Sequence, residues 1–243
     1  MARKIYRYAE IGSTNDEAKR LAALGEAEGI LVVADTQTAG RGRSGRQWLT
    51  PPGSALAMTL ILRPTVPVVH VAQIALLGGL AVLEGIQHST GLRPQLKWPN
   101  DVLIGGKKVC GVLAEAVFTG DKLESVVLGM GINVNAGPPP DLTLNYPATC
   151  LAAEVGHPLD RELVMQAILA AFDLRYPQLG APTLAAAWGE HLAMRGQKVQ
   201  VGGGAESLAG TLEGITGEGA LVLRLENGEA RTVLAGELHL REL

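Results

Sequence analysis

At 243 residues, with 47% hydrophobic and 19% charged residues, the chain has the composition of a folded globular protein and not of a disordered one. A net charge of −3 argues against a general nucleic-acid binder, which should be basic. Two cysteines, Cys110 and Cys150, are too few for a disulfide framework or a cysteine metal cluster, and read as apolar fillers in a reducing cytoplasm.

The N-terminal MARKIYRYAEIGST has no apolar core suited to a signal peptide. Residues 4–8 alternate and read as a short edge strand. Ser13-Thr14-Asn15-Asp16-Glu17 then opens a helix, with Thr14 and Glu17 spaced as a capping box and Gly25 placed to end it. Residues 30–35 form a β-branched run, a central strand leading into TQTAGRGRSGRQW at 36–48.

That stretch places three arginines and three glycines in the seven residues 40–46, and no Asp or Glu occurs between Asp35 and Glu84. Arginines without a local acidic partner, on a backbone freed by glycine, suit a phosphate-bearing ligand through bidentate charge-assisted hydrogen bonds. Mutual repulsion predicts a loop that orders only with its ligand. Trp48 offers a flat face for stacking. The spacing Gly40-x-Gly42-x-x-Gly45 matches the dinucleotide-binding fingerprint in letters alone. That fingerprint needs a helix directly after the glycines and an acid about 20 residues on. Pro51-Pro52-Gly53 blocks the helix and the acid is missing.

Residues 54–62 read as another strand. The segment 64–83 carries no formal charge, but its prolines and the pair Gly78-Gly79 fit a buried helix over 69–88 better than a membrane span. In QLKWPND at 95–101, Lys97 and Trp98 end a short strand and Pro99-Asn100-Asp101 makes a turn at a sheet edge. Gly105-Gly106 is a hairpin turn, and the return strand covers 108–118, with Lys107 and Lys108 on opposite faces. GGKK is not a P-loop, because Asp101 and Val109 stand where Gly and Ser/Thr are required. A further strand, 123–130, runs into GMGINVN, whose alternate glycines allow close backbone approach to a ligand or mark a bulge. Pro138-Pro139-Pro140-Asp141 opens an exposed loop, after which 148–155 and 160–174 read as helices, the second capped by Asp160. From Arg195 short alternating strands recur between glycine turns, predicting a small five-stranded barrel.

GRGRSGRQW, KWPND and GINVN, in this order, resemble the biotin protein ligases, and the resemblance runs from Ser13 to the C-terminus. It implies an α+β fold: a mixed sheet packed against helices in a catalytic domain over 1–192, and an SH3-like β-barrel over 193–243. It implies an ATP-dependent reaction that makes biotinyl-5′-AMP and passes biotin to a lysine of a biotin carboxyl carrier protein domain. Carried over residue by residue, Ser13, Thr14, Asn15, Gln37, Arg41 and Gly111 would contact biotin. Arg43, Arg46, Trp48, Asn100, Asp101 and Asn133 would line the nucleotide, with Lys108 and Arg43 as catalytic cations. Magnesium would accompany ATP, with Asp101 as a metal ligand and Asn133 facing the phosphates and metal. Bifunctional relatives carry a helix-turn-helix domain before the first strand, for which this sequence shows no room, so neither a nucleic-acid partner nor a membrane is expected. Homodimers are common in the family, but no residue here marks an interface. A lipoate ligase or octanoyltransferase would share the acyl logic but lacks the paired arginine and KWPND blocks. A non-catalytic biotin sensor would have lost Lys108 or the arginines.

Overall fold

The computed structural model describes residues 3–49, 51–139, 146–202, 207–234 and 240–242. Its first part runs β1 (Ile5–Ile11), α1 (Thr14–Ala23), β2 (Leu31–Gln37), β3 (Ala55–Leu62), α2 (Gln73–Thr90), β4 (Gln95–Lys97), β5 (Asp101–Ile104), β6 (Lys107–Thr119) and β7 (Lys122–Asn133). These seven strands make one mixed sheet in the order β1-β2-β3-β7-β6-β5-β4. Only β1 and β2 pair in parallel, joined by the crossover helix α1; every other pair is antiparallel. The expected edge strand is β1.

Side chains alternate between the two faces of this sheet with period two. Leu31, Val33, Leu60, Leu62, Val126 and Leu128 belong to the main core, which includes α2 and α4 (Arg161–Arg175). Val32, Ile61 and Val127 point the other way and pack under Ala18, Leu21 and Ala22 of α1. Continuing along that second face, Ile61 gives way to Thr59 and Ala57, and Val127 to Gly129 and Gly131. The register pairs Thr59 with Gly129 and Ala57 with Gly131 on one side of β7. On the other side it pairs Leu113 with Gly129 and Gly111 with Gly131. Beyond the end of α1 the sheet therefore shows a row of residues with little or no side chain, which leaves a groove.

The buried helix expected over 69–88 is α2, which starts at Gln73 after a 3-10 turn at Val68–His70, takes in the uncharged residues 73–83 and is followed by Gly91 in the left-handed conformation. By length and composition the span Val68–Thr90 meets the requirement for crossing a membrane, but 67% of its most apolar window is buried inside the fold. Among the described residues, two α-helices follow β7 before α5 (Pro182–Glu190): α3 (Leu151–Val155) and α4, whose N-cap Asp160 accepts from the Glu162 N–H at 2.8 Å. The helix expected over 148–155 is shorter because its first residues run extended beside β6. Lys108 N–H donates to Pro147 at 2.7 Å and Thr149 N–H to Lys108 at 2.9 Å. The helix α5, opened by a proline in its first turn, was not expected.

The capping box is also corrected. Ser13 is the N-cap and makes no side-chain cap, while Thr14 is already helical. The Glu17 carboxylate takes the Tyr8 hydroxyl at 2.6 Å and Arg20 at 2.7 Å. Gly25 ends the helix as expected, at φ +86.

The C-terminal strands are β8 (Lys198–Val201), β9 (Leu208–Ile215), β10 (Leu221–Arg224), β11 (Ala230–Val233) and β12 (Leu240–Glu242), in a five-stranded antiparallel sheet of order β11-β10-β9-β8-β12. The two end strands are not paired with each other among the described residues. Pro140-Asp141, the turn at Gly203-Gly204 and the 235–239 connection lie outside them. Val199, Leu212, Leu221 and Leu223 join the same core cluster as α2 and the large sheet. Two hydrogen bonds add to that packing: Trp98 Nε1 to Gly219 O at 3.1 Å, and Gln73 Nε2 to Gly217 O at 2.7 Å.

Candidate active site

The groove on the second face opens into a cavity of about 410 Å³, within the size range of small-molecule sites. All thirteen residues singled out from the sequence line it. Its long dimension follows β7, where Gly129, Gly131 and Asn133 share one face. Four residues of strand span about 13 Å, which suits an elongated ligand.

At the Gly129 end the walls are polar, and the lining cation there, Arg41, is paired with Asp16 and lies beside Glu115. Ser13, Thr14 and Asn15 are buried where α1 begins. The Gln37 Oε1 atom accepts from Thr14 N–H at 2.8 Å and lies 3.0 Å from the Thr14 hydroxyl. Thr59, fully buried on β3, sits 2.9 Å from Thr14 Oγ1 and 2.7 Å from Asn15 Oδ1. A Cβ on Gly129 would fall 2.2 Å from Asn15 Oδ1, so only glycine lets that amide lie on the sheet.

The arginine loop closes over this groove as a hairpin. Arg41 and Gln47 bridge, Gly42 N–H donates to Arg46 O at 2.7 Å, and Trp48 N–H donates to Gly40 O at 2.9 Å. Its charge is less isolated than the sequence suggests, because α1 supplies an acid from outside the loop. Arg41 makes a bidentate pair with Asp16 at 2.5 Å and lies 3.6 Å from Glu115. The Trp48 ring rests on the glycine floor: a Cβ on Gly131 would meet it at 2.5 Å and one on Gly111 at 3.2 Å. Its buried Nε1 has no hydrogen-bond partner.

Toward Asn133 the walls become cationic. Lys108 Nζ lies 2.6 Å from Asp101 Oδ1 and 5.8 Å from the Trp48 ring centroid. Lys97, read from sequence only as a strand end, is 4.0 Å from the same carboxylate and 4.4 Å from the Tyr146 ring. Arg43 lies 3.5 Å from Asn100 Oδ1, and the Asn100 amide donates to Val112 O at 2.6 Å. Burial pulls the Arg43 guanidinium below its ordinary pKa, with Asp101 opposing and Arg46 reinforcing the shift. Arg46 lines the cavity and is exposed to solvent. Asn133 donates to Thr149 O at 2.9 Å, leaving its buried Oδ1 with no partner. Cys110 beneath the site is fully buried, which raises its thiol pKa and keeps it inert.

No group of three His, Cys, Asp or Glu side chains that could cage a metal occurs among the described residues. The Asp101 carboxylate and the orphaned Asn133 Oδ1 instead fit a magnesium ion that arrives on phosphates and takes one or two protein oxygens.

Thr59, Glu115, Lys97 and Tyr146 were missed by sequence reasoning. Thr59 did leave a signal, as the one polar residue in the run ALAMTLIL, which is buried throughout.

Residues 10–133 match the model of the biotin/lipoate A/B protein ligase family, and residues 196–241 that of the biotin protein ligase C terminal domain. The bifunctional ligase/repressor BirA of Bacillus subtilis is 38% identical over 94% of this chain and 71% of its own length. The biotin–[acetyl-CoA-carboxylase] ligase of Paracoccus denitrificans is 35% identical over 89% of this chain and 92% of its own. The biotin protein ligase of Aquifex aeolicus, solved with biotin and ATP, superposes with a TM-score of 0.87 at 29% identity over the whole of both chains. The model match and these relatives together make this chain a member of the biotin/lipoate A/B protein ligase family.

Proposed function

We propose that this cavity activates biotin with ATP to biotinyl-5′-AMP and transfers the biotinyl group to a lysine of a biotin carboxyl carrier protein domain. The observation that carries the proposal is the change in chemistry along one groove. Uncharged donors and acceptors at Thr14, Gln37 and Asn15 give way to Lys108, Arg43 and Arg46 across a glycine floor. A ligand with a neutral polar ring at one end and a carboxylate meeting phosphate at the other suits that gradient.

In the first step the biotin carboxylate attacks the α-phosphorus of ATP, the P–O bond to pyrophosphate breaks, and an acyl phosphate anhydride forms. Two anions must meet, so the barrier is repulsion together with charge developing on oxygen. Fixed cations in a site with little water lower both. Lys108 is held for this by Asp101, and Lys97 shares that carboxylate. When Lys108 turns toward the substrate oxygens, Lys97 keeps Asp101 from being left as a bare buried charge. Arg43 grips the phosphate, and the solvent-exposed Arg46 receives it. A magnesium ion carried by the nucleotide and held by Asn133 and Asp101 would neutralise the departing pyrophosphate.

In the second step the carrier amine attacks the anhydride carbonyl, the C–O bond to AMP breaks, and an amide forms. Until the carrier arrives, Trp48 and the arginine hairpin shield the anhydride from water. Two free, buried cysteines and the need for ATP and a carboxylase partner fit a cytoplasmic enzyme of two domains, 1–192 and 193–243.

The test is incubation of the chain with ATP, an apo-carrier domain and either biotin or lipoate. Biotin attached to the carrier lysine, with AMP and pyrophosphate released, is the expected result. Transfer of lipoate in preference to biotin would overturn the reading.

A further inference from the structure

Glu115 lies on β6 outside the cavity lining, yet it is bonded to the polar end of the site. Its Oε2 accepts from Asn15 Nδ2 at 2.7 Å and lies 3.6 Å from Arg41, while its Oε1 holds Lys19 at 2.6 Å. Resting on the substrate assignment above, we infer that Glu115 is a positioning residue that fixes the donor–acceptor polarity of the ring-binding end, acting through Asn15 and Thr59.

The argument is a count of protons. An ionised carboxylate only accepts, so it forces the amide nitrogen of Asn15 toward itself and Oδ1 toward Thr59. At 2.7 Å, Oδ1 takes the single hydroxyl proton of Thr59. Thr59 then has only lone pairs to offer Thr14, 2.9 Å away. The Thr14 proton must go to Thr59 or to Gln37 Oε1, and in both cases it is spent within the protein. What Thr14 shows a ligand is an acceptor. Gln37 Oε1 is likewise occupied by Thr14 N–H, so Gln37 offers its Nε2 as a donor. An acceptor beside a donor complements a cyclic urea, which has N–H groups next to a carbonyl.

Glu115 is well suited to anchor this polarity. Burial opposes its ionisation, but hydrogen bonds from Lys19 and Asn15 outweigh that and hold its pKa below the ordinary carboxylate value. Without a fixed negative charge, only the longer contact of Asn15 Nδ2 to Leu113 O, at 3.4 Å, opposes a turn of the amide; once it turns, Thr59 can give its proton to Thr14, and Thr14 can show a donor where the urea also has one.

The test measures biotin and ATP dissociation constants separately on the full chain, with thermal midpoints. Glu115→Gln keeps the shape but can present either a donor or an acceptor. It is expected to weaken biotin about tenfold, leaving ATP affinity and kcat at saturating biotin within twofold. Thr59→Val cuts the relay one link further on and should cause a similar loss. The double variant should lose no more than the worse single one, since both break the same chain. Lys19→Met removes one of the contacts that keep Glu115 ionised but leaves Asn15 and Arg41 beside the carboxylate, so at pH 8 it should weaken biotin less than Glu115→Gln does. Unchanged biotin affinity in Glu115→Gln, equal losses for biotin and ATP, or additive effects in the double variant would each overturn the inference. A wild-type chain that binds no biotin would instead overturn the substrate reading on which it rests.

Discussion

Replacing Lys108 by Met removes the charge and keeps most of the stem that packs against Gly111. The Lys108–Asp101 pair is 2.6 Å long, with 25% and 14% of the two side chains exposed. Breaking a fully buried pair costs about 3–5 kcal/mol because an ion is left uncompensated. Here Lys97 remains 4.0 Å from Asp101 and both partners keep some water, so a cost of about 1–2 kcal/mol is the better expectation. In a chain of this size that lowers the thermal midpoint by about 2–8 °C and leaves a folded protein. Lys108 is therefore not a surface lysine without structural weight, although the alternation of the strand alone would allow that reading. The catalytic loss should be larger than the structural one. Removing one group that stabilises developing oxygen charge costs about 10²–10³ in rate. The assay is biotin-dependent pyrophosphate release at saturating ATP. Lys107→Met is the control: Lys107 is 44% exposed and paired with Glu154 on the other side of the strand. Release by Lys108→Met within threefold of wild type, or an equal loss in Lys107→Met, would refute the assignment.

Gly131→Ala would place a methyl 2.5 Å from the Trp48 ring, so the indole must leave the floor. A shift in tryptophan emission that disappears when Trp48→Phe is added, with weaker biotin binding, is expected. Arg43→Ala should still form the adenylate but release it about ten to a hundred times faster, since a lost charge-assisted bond acts mainly on dissociation; excess labelling of a bystander protein such as albumin reports it. Removing 195–243 takes Val199, Leu212, Leu221 and Leu223 out of the shared core. Loss of a cooperative thermal transition is therefore expected, where a separable module would leave one.

Much of the site was legible because its residues come in contiguous blocks. GRGRSGRQW, KWPND and GINVN each place several cavity residues on one loop or strand end, and of the two readings open for the glycines at 129 and 131, a bulge or a close approach to a ligand, the groove floor fits the second. The remaining residues were hidden by distance along the chain. Asn15 meets Glu115, and Arg41 finds Asp16, only after α1 is laid across the sheet. No local pattern reports such pairs. The capping box failed for the same reason, since Thr14 has tertiary partners in Gln37 and Thr59 that outcompete a local cap. The start of α3 was misread because residues 147–149 pair with β6, a long-range choice that propensity does not register. The central strands fared better because burial on both faces leaves short, nearly continuous apolar runs, such as 31–34 and 55–62, that can be read directly.

The bond from Trp98 to Gly219 O bears on how parts of this protein can be exchanged. Gly219 sits at φ +88, and a Cβ there would strike Leu76 at 2.4 Å, so the turn before β10 accepts no side chain on either count. Trp98 lies two residues before Asn100 and three before Asp101. A chimera carrying the C-terminal sheet of a relative must therefore reproduce the backbone at 217–219, or the graft will displace the turn that lines the cavity. The same linkage runs in reverse: a carrier domain that leans on the small sheet leans, through one indole, on the wall beside Lys108.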